Sequence, residues 1–123
     1  MNPELSVFHL YFINPSRYGE DGYVVFWHYP PLPNNTLACL NALALDCARR
    51  EVLGRGVHIE VTVWDETGGP APLEEIKARI KGGNGLVGLT GVQSHQYPRA
   101  LDLARQLRSA GVPVCMGAFM SAV

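Results

Sequence analysis

Apolar and polar residues follow two rhythms along the chain, and they alternate between them. Ser6 to Ile13 (SVFHLYFI) is a run of branched and aromatic residues halted by Asn14-Pro15, which reads as a buried strand running into a turn. Asn34-Asn35-Thr36 offers capping side chains, and apolar positions then recur from Leu37 to Leu53 until Gly54 and Gly56 stop them. This predicts a helix of about four turns, with Ala38, Ala42, Ala44 and Ala48 suited to close approach to a sheet. His58 to Trp64 (HIEVTVW) alternates with period two and reads as a second strand ending at Asp65-Glu66. Leu73, Ile76 and Ile80, with acids in the first turn, predict a short helix over Pro72 to Ile80. Leu86 to Leu89 is a third strand, and it runs into the small, hydroxyl-bearing stretch Thr90-Gly91-Val92-Gln93-Ser94.

The clearest helix spans Pro98 to Gly111. Ala100, Leu101, Leu103, Ala104, Leu107 and Ala110 build its apolar face, and Arg99, Asp102, Arg105 and Arg108 are expected to face water. Pro113 opens a fourth strand that ends near Met116. One segment stays ambiguous between the first strand and the first helix. Residues 16–35 hold Gly19, Gly22 and the prolines Pro30, Pro31 and Pro33, and within them Tyr23 to Tyr29 (YVVFWHY) suits either a short extra strand or a lid-like loop.

The order strand–helix–strand–helix–strand–helix–strand predicts an α/β domain with a mainly parallel sheet and helices on both faces, doubly wound in the Rossmann or flavodoxin manner. Residues 1–123 make one domain of ordinary size. A complete doubly wound domain carries a fifth strand and a closing helix. Their absence here suggests a domain whose C-terminal part is missing, either cut from a longer protein or completed by another chain. An unfinished sheet would expose an edge strand and apolar helix faces, so self-association into a homodimer is expected.

Composition narrows the function classes. The net charge of −1 and the mixing of bases with acids give no basic footprint for nucleic acid. No apolar run approaches the roughly twenty residues of a membrane span, and the first residues lack the positive start of a secretory signal, so a cytoplasmic location is expected. Cys39, Cys47 and Cys115 form no metal or disulfide pattern and read as reduced, mostly buried thiols.

In crossover sheets, ligands sit beyond the carboxyl ends of the strands. Thr90, Gly91, Gln93 and Ser94 are therefore the expected floor of a binding site: the hydroxyls supply hydrogen bonds, and Gly88 and Gly91 let a ligand near the backbone. An ordinary strand-to-helix turn capped by Ser94 is the plain alternative. The stretch is neither a GxGxxG fingerprint nor a P-loop. Asp65 and Glu66 read as solvated carboxylates, His9 as a packed residue at the core edge, His58 as exposed, and His28 and His95 as surface histidines near the presumed ligand edge. No catalytic set and no metal-ligand spacing stands out.

Val87-Gly88-Leu89-Thr90-Gly91-Val92-Gln93-Ser94, then Ala100 to Arg105, then Gly111-Val112-Pro113-Val114-Cys115-Met116-Gly117 resemble the cobalamin (B12)-binding domains at the N-terminus of many radical S-adenosylmethionine (SAM) enzymes. The Pro30 to Ala38 stretch is similar to that family's Pro-rich lead-in to its first helix. The resemblance implies that cobalamin lies across the carboxyl edge, with its nucleotide tail near Thr90, Gly91, Ser94, Gly117 and Ala118 and with Gln93 close by. The family's Gly-Gly-aromatic-His turn after the fourth strand reads Gly117-Ala118-Phe119-Met120 here. The first turn, Asn14-Pro15-Ser16-Arg17-Tyr18-Gly19, stands where many members of that family carry Asp-x-His-x-x-Gly and departs from it, with Ser16 in place of the histidine that ligates cobalt. Serine does not replace imidazole on cobalt, so binding without a lower-ligand histidine from this turn is implied. The family's iron–sulfur cluster and SAM belong to a following radical SAM domain, whose CxxxCxxC motif is not in these residues. The chain alone is thus expected to bind a cofactor without turning over substrate. The rival reading is a flavodoxin-like signalling or protein-interaction module with no cofactor. A receiver domain would need a phosphorylatable Asp where Thr90 and Gly91 stand.

Overall fold

The N-terminal strand, β1 (Ser6–Asn14), lies inside the sheet and pairs on both sides. A computed structural model describes residues 6–26, 34–81 and 83–118. After β1 come α1 (Asn35–Arg49), β2 (Val57–Asp65), a single 3-10 turn (Glu66–Gly68), α2 (Leu73–Arg79), β3 (Gly85–Val92), α3 (Tyr97–Ser109) and β4 (Val114–Ala118). The four strands are all parallel in the order β2-β1-β3-β4, an α/β architecture of the Rossmann or flavodoxin kind. No helix among the described residues is long and apolar enough to cross a membrane.

Period-two alternation sorts the side chains onto two faces. Tyr11 and Ile13 of β1 and Val87 and Leu89 of β3 point to one face. There they form the main core with Ile76 and Ile80 from the α2 segment and Ala100, Leu103 and Leu107 of α3. Val114 and Met116 of β4 pack against the same cluster. The other face carries α1, which lies against β2 and β1 and buries Leu37 and Ala44. The exits of β1 and β3 therefore lead to helices on opposite faces. That geometry opens a crevice at the carboxyl edge between these two strands.

The element ends depart from the sequence expectation in instructive ways. α1 stops at Arg49, short of Val52 and Leu53, which are exposed. Its end is a Schellman motif: Val52 N donates to Cys47 O and Glu51 N to Ala48 O, with Glu51 at φ +53°. α3 ends the same way, with Val112 N on Leu107 O and Gly111 N on Arg108 O, but there a glycine holds the left-handed position. Ala38 and Ala42 turn to solvent; Leu37 and Ala44 make the approach to the sheet. Cys39 and Cys115 are exposed and Cys47 half-buried, against the expectation of buried thiols; all three are free. Tyr18 pairs with Val24 in an antiparallel bridge, so the start of the aromatic segment closes a small hairpin, with Gly19 N on Tyr23 O at 2.8 Å. The rest of that segment, residues 27–33, lies outside the described residues, as do Phe119 and Met120.

Glu51 occupies the conformation that a side chain disfavours by roughly 1 kcal/mol. Glu51→Gly is therefore expected to raise unfolding stability by about 1 kcal/mol, read from the urea midpoint at constant slope.

Candidate functional site

Two clefts meet at the crevice between β1 and β3. One is polar, about 360 Å³, and lined by Asn14, Asn34, Thr36, Gly91, Gln93, His95 and Gln96. The other is mostly apolar, about 340 Å³, and runs over the sheet face beside α1, with Phe12, Leu40, Gly88, Thr90, Cys115 and Gly117 among its walls. Thr36 and Gly91 border both. Each volume sits at the low end of the range for small-molecule sites.

A bulge in β3 shapes the junction. Leu89 pairs with Met116 but Val92 with Ala118, so β3 carries one extra residue there. Gly91 takes it up at φ +63°, and a Cβ at this position would come 2.9 Å from Asn14 Nδ2. The Asn14 amide sits so close because it donates to Thr90 O at 2.8 Å and ties the ends of β1 and β3 together. Gln96, also buried, donates from Nε2 to Pro15 O at 2.6 Å and accepts from Gln93 N at 3.0 Å. The polar cleft thus has a rigid back wall of side-chain amides.

The apolar cleft exists because α1 lies mainly over β2 and β1 and only borders β3, and because position 88 has no side chain. A Cβ on Gly88 would meet the Phe12 ring at 3.2 Å and Cys115 Sγ at 3.7 Å. Thr90 lies on the same face of β3 as Gly88 and is only 7% exposed. Its Oγ1 is buried and has no hydrogen-bond partner among the described residues. A buried hydroxyl left unpaired costs roughly 1–3 kcal/mol, and native structures rarely keep one without reason.

The structure brings together some of the residues singled out from the sequence and not others. Asn14, Gly91 and Gln93 line the polar cleft, and Thr90, Gly91 and Gly117 line the apolar one. Ala118 pairs with Val92 at the end of β4. Ser94 is exposed ahead of α3 and does not cap it; Gln96 holds the cap position. Ser16 is buried, its hydroxyl donating to Val25 O and its amide to Glu66 Oε1, and it borders a smaller neighbouring hollow with Arg17, Thr67 and His95. Gly19 belongs to the hairpin turn. His95 is exposed on the polar cleft, His9 is half-buried in β1, His58 is exposed, and His28 lies outside the described residues. Sequence reading missed Phe12, Thr36 and Leu40. The period-two alternation that pairs Phe12 with Gly88 was the signal for the first; Thr36 and Leu40, one helical turn apart, show only once α1 is set on the sheet.

Two expectations of solvation are overturned. Glu66 is fully buried, and Arg99, expected to face water, has a side chain only 11% exposed. Arg99 grips the carboxylate in a fork, Nε to Oε1 at 2.8 Å and Nη2 to Oε2 at 2.7 Å. The backbone amides of Ser16 and Ala71 complete the shell at 3.1 and 3.0 Å. The same guanidinium lies over the Tyr18 ring at 5.9 Å, and the Tyr18 hydroxyl donates to Asp102. The Glu66 hydrogen bonds hold Arg99 above the usual guanidinium value, while burial and then the Asp102 bond lift the Tyr18 phenol. Asp65 is half-buried and caps the 3-10 turn, accepting from Thr67 N and Oγ1. Among the described residues no group of three or more His, Cys, Asp or Glu side chains is placed to hold a metal ion.

No protein-family model, curated protein or solved structure matches the chain.

Glu66→Gln removes the charge from a fully buried pair and leaves Arg99 without its counter-ion. Urea unfolding is expected to show a loss of about 3–5 kcal/mol; an unchanged midpoint would mean that the pair holds nothing together.

Proposed function

We propose that this domain is a cobalamin-binding module and that the nucleotide tail of the cofactor occupies the apolar cleft over β3 and β4. The observation that carries the reading is the Thr90 hydroxyl, a buried donor without a partner among the described residues, at the wall of a glycine-floored apolar cleft of about 340 Å³. Such a site fits a flat heterocycle that offers an acceptor atom and no charge. Gly88 and Gly117 leave room for the ring, with Phe12 and Leu40 as its apolar walls. The polar cleft beside it, with Asn14, Asn34, Gln93 and Gln96, suits the amide-bearing rim of the corrin. Bound cobalamin supplies the alkyl-transfer and redox chemistry of its cobalt.

What this chain's residues do is hold and orient. Asn14 and Gly91 fix the junction of the two clefts, and Thr90 donates to the tail. Ser16 is spent on Val25 O and sits at the neighbouring hollow, so the cobalt receives no imidazole from the loop after β1. The iron–sulfur cluster and SAM of the proposed parent enzyme would be held by a radical SAM domain that follows in the same protein.

Titration with hydroxocobalamin is the test. Binding is expected to retain the visible bands through desalting and to raise the melting temperature, by about 2.7 kcal/mol of stability at a hundredfold excess over Kd. A bound alkylcobalamin is expected to show no imidazole coordination. Thr90→Val separates this reading from a purely structural role. Filling the site with a methyl group is expected to stabilise the free protein by about 1 kcal/mol while weakening cobalamin binding about tenfold. No retained colour and no thermal shift would overturn the proposal.

A further inference from the structure

We infer that the apolar cleft selects its cofactor by the base on the tail, accepting a benzimidazole and rejecting a purine. The inference rests on the cobalamin reading and adds a specificity to it. The argument is a count of hydrogen-bonding groups on the two sides. Phe12, Leu40, Gly88 and Gly117 offer a ring no polar side chain, and the Cys115 thiol is a weak donor at best. The β3 backbone flooring the cleft up to Leu89 lies in the ladder, and beyond it the Thr90 carbonyl accepts from Asn14. Leu86 to Leu89 pair with Leu10 to Ile13 on one side, and Val87 to Leu89 with Val114 to Met116 on the other. Thr36 stands where the apolar cleft opens into the polar one. Among the described residues the Thr90 hydroxyl is left as the single buried side-chain donor without a partner.

A benzimidazole joined to its ribose through one ring nitrogen presents one acceptor, the other ring nitrogen. One donor meets one acceptor. An adenine base presents three ring nitrogens and an exocyclic amine; Thr90 satisfies one of them, and the rest enter an apolar cleft unpaired. Each buried polar group left without a partner is worth roughly tenfold in affinity. A phenolic base has no ring nitrogen and leaves Thr90 as it stands in the free protein.

The experiment compares four corrinoids on the full chain by equilibrium dialysis, read by corrinoid absorbance: cobalamin, the adenine-tailed cobamide, the phenol-tailed cobamide, and cobinamide, which has no tail. Cobalamin is expected to bind tightest and the adenine-tailed form at least tenfold more weakly. Thr90→Val is expected to weaken cobalamin about tenfold and leave the phenol-tailed form unchanged, which a mere loss of folding would not do. Equal affinity for the benzimidazole and adenine tails overturns the selectivity and leaves the cofactor reading intact. Cobinamide binding as tightly as cobalamin also overturns it, because the tail then contributes nothing. Binding of none of the four overturns the cofactor reading and this inference together.

Discussion

The carboxylate of Glu66, sealed from water, is the point on which the carboxyl edge of this domain is hung. A buried charge is tolerated only when its lone pairs are met, and four donors meet these: two from Arg99 and the amides of Ser16 and Ala71. Those donors come from the loop after β1, the loop before α2 and the first turn of α3. One side chain therefore sets three segments in register, and the planar fork fixes direction as well as distance. Apolar packing of the same volume could match the pair in stability, but it would not orient the loops. Tyr18, laid under the guanidinium and bonded to Asp102, extends the same fixture to the hairpin beyond β1.

With the loops anchored there, the crevice between β1 and β3 has a defined shape. Two helices and the main core lie on one face; α1 covers β2 and β1 on the other. The remaining sheet surface, over β3 and β4, carries Gly88, Cys115 and Gly117, small residues that build a trough in place of a packing surface. The β3 bulge at Gly91 and the Asn14 amide divide this trough from the polar cleft without closing it. A donor with no partner inside an apolar trough is an arrangement the protein tolerates at a cost in its free state, and binding a complementary acceptor relieves it.

Much of this architecture was legible from pattern alone. The alternation of periods gave the element order and the parallel sheet, and glycine at position 111 marked the end of α3 by the same chemistry that ends it in the structure. The end of α1 was misplaced because its left-handed residue is Glu51, which carries no turn signature. Thr90, Gly91 and Gln93 line the two clefts because they stand at the carboxyl end of β3, a position the strand pattern already marks. Glu66 and Arg99 were misread because local pattern sees only that they are charged. Their burial depends on segments 33 residues apart, the 3-10 turn and the first turn of α3, meeting in space. Ser94, expected on the binding floor or else as the helix cap, is exposed and does not cap α3, because β3 runs on to Val92 and a further turn intervenes.

The central place of β1 sets a condition on how the chain acquires its fold. Ser6 needs Val57 and His9 needs Gly85 before the first strand is paired on both edges. Every sheet contact is parallel, so no hairpin within the sheet can form early and act as a seed. Loop closure must come first and is compensated only later, which places folding among the slower topologies for a chain of this size. During synthesis β1 precedes both of its partners: it waits, unpaired and β-prone, until β2 has emerged, and its other edge stays open until β3 follows. In that interval the loop after β1 has no Glu66 to hold it. The period of greatest exposure to misassociation is thus written into the strand order itself.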